Sequence, residues 1–324
     1  LPDPRHHDPR SPGDWGNYLM APARHLSELH GTLAGFDAVL DSDVPVAAGL
    51  SSSAALVVAV GLALDAVNGL GYEPLELADA MARAERFVGT QGGGMDQAIS
   101  LGARSHHAAR IDFDPLRMTH VVVPEGWRFV VAHTLVQAEK SGAAQEAYNR
   151  RTRECREALE AVGPALGERP AAGYRGLLAR HSRDTLLDAA AGVLDGDLLR
   201  RFRHVVSEGS RVDEAVAALR SGDRGRFGAL MDDSHTSLKD DYEVSSPELD
   251  RLVALARDAG ADGARLTGAG FGGCIVALSD EAGAPALLDA LEEGYYHGRP
   301  DAPPREDRLF VVEPGPGATV TPLG

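Results

Sequence analysis

The stretch that most constrains this chain is Asp41–Leu56, D-S-D-V-P-V-A-A-G-L-S-S-S-A-A-L. Ahead of it, Gly35–Leu40 (G-F-D-A-V-L) alternates apolar and polar side chains, the pattern of a half-buried strand. Behind it, Ala54–Leu70 runs A-A-L-V-V-A-V-G-L-A-L-D-A-V-N-G-L, which suits a helix buried around most of its circumference. A Pro/Gly turn and three serines, Ser51, Ser52 and Ser53, join the two, and serine is favoured at helix N-caps. A helix N-terminus presents N–H groups without intrahelical acceptors and a partial positive charge of roughly half an elementary unit. The sequence therefore predicts a phosphate cradle. The plainer reading is an ordinary capped helix. No G-x-x-x-x-G-K-[ST] is present, so this is not a P-loop of the usual NTPase kind.

Composition narrows the class. At 324 residues, the chain suits two domains or one large one, and 44% hydrophobic with 25% charged residues is the balance of a soluble globular protein. Forty-eight acidic against 32 basic residues give a net charge of −16, which argues against nucleic acid or an anionic membrane as partner. An acidic protein that handles a nucleotide needs Mg²⁺ and helix dipoles to offset repulsion. Cys155 and Cys274 are the only cysteines and form no C-x-x-C pair, which points away from disulfides and zinc and toward a reducing cytoplasm. No run of eighteen apolar residues and no signal peptide is present. The chain does not start with Met, so a trimmed or partial N-terminus is expected.

P-V-A-A-G-L-S-S-S-A-A resembles the phosphate-binding motif of the GHMP kinases, the group of galactokinase, homoserine kinase, mevalonate kinase and phosphomevalonate kinase. The resemblance implies that Gly49, Leu50, Ser51, Ser52, Ser53 and Ala54 hold ATP phosphates.

Residues 1–14 carry four prolines and read as an irregular exposed segment in which His6 and His7 are solvated. Trp15–Leu29 shows helical periodicity, and its W-G-N-Y is similar to a galactokinase string; Tyr18 is read as packing rather than lining a nucleotide site. Pro74–Val88 predicts a second helix with Pro near its first turn and a core stripe of Leu75, Leu77, Ala78, Met81 and Ala82. Glu85 falls near the end of that helix, where the dipole disfavours a carboxylate. It is either a cation ligand or a solvated surface residue.

Next comes Gly89–Gln97, G-T-Q-G-G-G-M-D-Q. Three consecutive glycines let backbone approach a ligand and take positive φ. G-G-G-M-D-Q resembles the pattern of galactokinases and N-acetylgalactosamine kinases. That likeness implies Asp96 as catalytic base at the sugar's anomeric hydroxyl, Gly93 near the sugar, and Ser53 and Glu85 as Mg²⁺ ligands. The G-G-G form and the Glu85–Asp96 spacing lean toward the N-acetylgalactosamine branch. Tyr148, in Y-N-R-R-T-R-E-C, leans back toward galactose, because the galactokinase string Y-N-x-R-x-x-E-C has a sugar-binding Tyr there and Phe is expected in the other branch.

Trp127–Thr134 reads as a strand and Glu139–Ala161 as a charged helix on which Arg150 and Arg151 are solvated charges. Ala165–Tyr174 reads as a linker. Leu198–Ser221 and Phe227–Leu238 read as helices, the first carrying a structural R-H-V-V-S-E-x-x-R-V, and Tyr242–Asp250 opens another with a Ser/Pro entry. Ser234-His235 invites a hydrolase triad, yet there is no G-x-S-x-G elbow and no evident acid partner.

Gly263–Cys274 contains L-T-G-A-G-F-G-G-C between two strand-like pieces, late in the chain, which is the wrong context for a Rossmann fingerprint. It resembles the third GHMP motif and implies Gly268 and Gly270 beside the phosphates. Ala282–Glu293 reads as a helix and Arg308–Val312 as a closing strand.

The resemblance spans residues 15–315. It implies a two-domain α+β GHMP kinase fold: residues 1–150 as a ribosomal protein S5 domain 2-like domain with the phosphate loop, and 151–324 as a ferredoxin-like domain. The function it implies is galactokinase-type transfer of the ATP γ-phosphoryl group to the C1 hydroxyl of D-galactose, with Mg²⁺ as cofactor. N-acetylgalactosamine kinase, or a catalytically silent galactose- and ATP-binding regulator, are the alternatives. A cytoplasmic monomer with ATP and a small sugar as its partners, and no nucleic acid or membrane, is expected. The family's opening P-G-R-V-N-L-I-G-E-H-T-D-Y has no counterpart here, from which a missing N-terminal segment is expected.

Overall fold

The computed structural model describes residues 5, 8–11, 14–45, 48–89, 92–113, 115–136, 143–168, 173–300 and 302–322. The chain divides into two compact units, residues 1–123 with 313–324, and residues 124–312.

The first unit is built on four helices: α1 (Gly16–His30), α2 (Ser52–Asn68), α3 (Pro74–Glu85) and α4 (Met95–Gly102). Their apolar faces meet around Leu26, Val57, Leu64, Leu77, Met81 and Leu101. α3 starts where the sequence says it should. Pro74 occupies the first turn, and Glu73 and Glu76 satisfy each other's backbone donors in a capping box. α2 and α3 approach closely at Gly61, where a Cβ would lie 2.3 Å from the Met81 sulfur. Asn17, from W-G-N-Y, is buried; its side chain accepts from the Arg10 N–H at 2.7 Å and donates to the Arg10 and Ser11 carbonyls. Tyr18 packs against this core, as read.

A hairpin of β1 (His107–Asp112) and β2 (Arg117–Val122) follows. The C-terminal tail returns to the first unit: the Gly317 and Ala318 N–H groups donate to the Ala103 and Ser100 carbonyls at 3.0 and 2.7 Å. The strand expected over Gly35–Leu40 does not form. That segment has no ladder partner among the described residues, and Val39 is 98% exposed. Alternation of side chains offers a face to bury, but a strand also needs a neighbour for its N–H and C=O groups. Asn68 ties the backbone of Ala34 to the end of α2 instead.

The second unit contains β3 (Trp127–His133), α5 (Ala143–Val162), α6 (Gly173–Arg180), α7 (Arg183–Ala191), α8 (Gly196–Ser221), α9 (Arg224–Asp240), α10 (Pro247–Asp258), β4 (Gly263–Leu266), β5 (Cys274–Asp280), α11 (Ala284–Leu291), α12 (Arg305–Arg308) and β6 (Leu309–Val312). The sheet order is β4-β5-β3-β6, antiparallel throughout. A strand, helices, two strands, a helix and a strand in that spatial order make a ferredoxin-like sheet. Because β3 pairs with β5 and β6, residues 124–150 lie with this unit, whereas the sequence reading divides the chain at 150/151. The sheet's core includes Val130, Leu249, Leu252, Leu266, Ile275 and Leu291. A second core, centred on Phe202, Leu177 and Leu186, holds α5 to α8 together. Of the stretch read as a linker, Ala165 and Leu166 close a 3-10 turn, Gly173 and Tyr174 begin α6, and residues 169–172 lie outside the described residues.

Candidate active site

The first unit carries the candidate phosphate loop, the buried carboxylate and the candidate base. α2 begins at Ser52, and its first helical bond runs from the Ala55 N–H to the Ser51 carbonyl. Ser51 takes the N-cap position in a left-handed conformation (φ 60°), two residues after Gly49 at φ 73°. The Ser51 side chain makes no capping bond, so a serine sits at the N-cap as expected but its hydroxyl does not cap the helix. Ala48 and Ala54 are buried and anchor the turn, while Gly49, Leu50, Ser51, Ser52 and Ser53 are half-buried. Left-handed residues ahead of a helix turn successive N–H groups toward one concavity, which is the arrangement an anion needs. Val46 and Ala47 lie outside the described residues.

Glu85 is not a solvated surface residue. It is the last residue of α3, 8% exposed, and its Oε2 accepts from the Gln97 amide at 2.5 Å. Its Oε1 is buried without a hydrogen-bond partner. Tyr18 senses this carboxylate: burial, and then the Glu85 charge, push the Tyr18 hydroxyl pKa above its ordinary value. A buried carboxylate oxygen with no donor is costly unless a cation completes it.

Asp96 stands in the first turn of α4, half-buried, behind Gly94 at φ 83°. Among the described residues its carboxylate has no hydrogen-bond or ion-pair partner. Of the three glycines, Gly94 is the one under steric demand, since a Cβ there would lie 2.8 Å from the Ala82 methyl. Gly92 and Gly93 face open space. Gln97, quoted in the motif but given no role from sequence, is buried and joins α4 to Glu85.

The second unit carries Tyr148, Gly268 and Gly270. Tyr148 sits half-buried on α5. The loop between β4 and β5 is dominated by positive φ: Gly268 76°, Gly270 80°, Phe271 61°, Gly272 134° and Gly273 80°. A Cβ on Gly270 would lie 2.1 Å from the Val244 carbonyl oxygen, which instead accepts from the Phe271 N–H at 2.7 Å.

Arg151 is buried, not solvated as expected for it. It donates to the Tyr242 and Glu243 carbonyls, and its guanidinium lies 5.7 Å from the Phe271 ring centre. Arg150 remains exposed beside Glu154. Beneath them Arg201 bonds Glu154 at 2.7 Å and Glu243 at 2.6 Å, and donates to the Asp241 carbonyl. Glu139, at the start of the predicted helix, lies outside the described residues.

Ser234 and His235 form no relay. Ser234 donates to Glu208 at 2.8 Å, while His235 meets Asp250 at 3.3 Å and accepts from the Leu266 N–H. Both cysteines are free. Burial pushes Cys155 up to about 11 and Cys274 up to about 12, which keeps both thiols protonated and unsuited to nucleophilic chemistry.

The first unit thus carries a left-handed loop entering a buried helix, a buried carboxylate with a bare oxygen and an unpaired aspartate on a helix N-terminus, and the second a glycine loop on a ferredoxin-like sheet. Residues 17–103 match the model of the GHMP kinases N terminal domain and residues 215–297 that of the GHMP kinases C terminal. The chain is 39% identical over 95% of its length to a galactokinase of Roseiflexus sp. (strain RS-1), of which it covers 76%. It is 41% identical over 87% of its length to a galactokinase of Chloroflexus aurantiacus, of which it covers 70%. The crystal structure of Lactococcus lactis galactokinase complexed with galactose is similar across 98% of this chain and 79% of that one, with a TM-score of 0.80 at 31% identity. The chain belongs to the galactokinase family of the GHMP kinases. The lean toward the N-acetylgalactosamine branch finds no support in these relatives. A Cytophaga hutchinsonii homoserine kinase shares the fold, at 19% identity and a TM-score of 0.58.

Proposed function

We propose that the chain transfers the γ-phosphoryl group of ATP to the C1 hydroxyl of D-galactose, giving galactose 1-phosphate and ADP. The observation that carries this reading is the likeness along nearly the whole chain to galactokinases, one of them described as complexed with galactose. Asp96 takes the proton of the C1 hydroxyl. The oxygen then bonds to the γ-phosphorus as the bond to the ADP oxygen breaks. An aspartate without a protein partner has acceptor capacity free for a hydroxyl. Gly93 lies beside the sugar and Tyr148 hydrogen-bonds it.

Residues 49–54 and the loop glycines Gly268 and Gly270 bind phosphate through backbone N–H groups. Glu85 and Ser53 supply hard oxygen donors suited to Mg²⁺, and the bare Glu85 Oε1 is the observation that fits. When bound, the ion neutralises charge on the transferring phosphates. The remaining contribution is positioning and charge complementarity.

A cytoplasmic location and a monomeric state are part of the proposal; the two unpaired cysteines suit a reducing compartment, and no helix among the described residues is long and apolar enough to cross a membrane. The test is ADP release from Mg·ATP with galactose, N-acetylgalactosamine or glucose. Turnover on galactose is expected. Equal or better turnover on N-acetylgalactosamine would refute the substrate assignment, and bound ATP with no turnover on any sugar would refute the activity.

A further inference from the structure

The buried carboxylate of Glu85 is held by one neutral donor. Gln97 reaches it from α4, twelve residues further along, and occupies Oε2 at 2.5 Å. Oε1 is left buried and bare. Among the described residues Glu85 makes no ion pair, so its charge is not cancelled from the protein side. Gln97 is itself 3% exposed, which leaves its amide little freedom to seek water in place of the carboxylate. A lysine or arginine at this place would bond the same oxygen but neutralise the charge that a cation needs. A glutamine fixes the orientation and leaves the charge intact.

We propose that Gln97 is a positioning residue: by fixing Oε2 it turns Glu85 Oε1 toward the metal, and it ties that ligand to the helix turn bearing Asp96. This role rests on the reading of Glu85 as an Mg²⁺ ligand. The base and the anchor of the metal ligand are then adjacent residues in one turn of α4. Displacing either helix shifts both functions together. Partners that orient a ligating carboxylate in this way contribute about 10–100-fold to metal affinity when tested by mutation.

The experiment is Mn²⁺ binding to the protein saturated with a non-hydrolysable ATP analogue, read by electron paramagnetic resonance, with thermal midpoints recorded beside it. Gln97→Met is expected to weaken Mn²⁺ binding about tenfold or more, and Glu85→Gln at least as much. The double variant is expected to bind no more weakly than Glu85→Gln alone, because Gln97 acts only through Glu85. If Gln97→Met does not fold, Gln97→Leu replaces it in the same cycle. Binding by Gln97→Met within twofold of the parent, with Glu85→Gln impaired, would overturn the role of Gln97. So would strictly additive losses in the double variant. Unimpaired binding by Glu85→Gln would overturn the metal assignment itself, and this role with it.

Discussion

Arg151 Nη2 donates to the Glu243 carbonyl oxygen at 3.1 Å, joining residues ninety-two positions apart. Its Nε holds the Tyr242 carbonyl at 3.2 Å, and Glu243 between those bonds and Val244 is in a left-handed conformation, φ 56°. The next carbonyl, that of Val244, accepts the Phe271 N–H. One guanidinium on the helix of Tyr148 thus steadies the bend on which the glycine loop hangs. Arg151→Ala should destabilise the protein by about 3 kcal/mol, the order expected when two charge-assisted bonds to backbone are lost in a buried place. A lowered urea midpoint checks this; an unchanged midpoint would remove Arg151 from the scaffold.

Gly270→Ala should act on the same loop from the other side. The methyl would meet the Val244 oxygen at 2.1 Å in a backbone conformation with φ 80°. Left-handed strain alone costs about 1–2 kcal/mol. A drop in ATP affinity by isothermal titration is expected, with galactose binding less affected; equal ATP affinity in the variant would argue against this loop as a phosphate neighbour.

Asp96→Asn keeps shape and removes the acceptor for the sugar proton. Turnover should fall by about a hundredfold or more, the lower end of what a positioned base contributes. ATP-analogue binding should persist. Retained turnover would take the base assignment away from Asp96.

His204 predicts an acid limit to stability. Burial, aided by Arg211 and Arg265 and opposed by Glu208 and Asp241, holds its pKa at about 4 against an ordinary 6.5. The ring shares a 2.9 Å hydrogen bond with Ser237 and stacks on Tyr242 at 4.4 Å. Because the unfolded chain binds this proton more readily, stability is full above pH 6.5 and falls as pH drops toward 4. The loss tends to about 3 kcal/mol at the acid end. Urea titrations at pH 7 and pH 4.5 should show it, and His204→Gln should flatten the difference; a parallel slope in the variant would locate the effect elsewhere.

Much of the scaffold was legible because its signals are local. Pro74, the apolar run of α2 and the short apolar run of β3 announce helices and a strand from their own neighbourhoods. The serine-rich turn before α2 and the G-G-G-M-D-Q turn before α4 stood out as motifs. What escaped depends on distant partners. Glu85 at a helix end carries no mark of burial, and Gln97 supplies the reason for it only across twelve residues. Arg151 looks like any charge on a charged helix until residues 242–243 are brought to it. Gly35–Leu40 failed in the opposite direction, since its local pattern is right and the neighbour is lacking among the described residues.

The return of the tail sets an order on synthesis. Ala103 and Ser100, at the end of the helix bearing Asp96, receive the N–H groups of Gly317 and Ala318. Every residue of the second unit is translated between the helix and its brace. Domains commonly fold as they emerge from the ribosome, but here the first unit cannot be finished first. Residues 124–312 are free to settle while the helix that carries the candidate base still waits for its last two backbone partners. A nascent chain stalled short of residue 317 would hold that helix unbraced, so its brace is set only after the whole of residues 124–312 has been made.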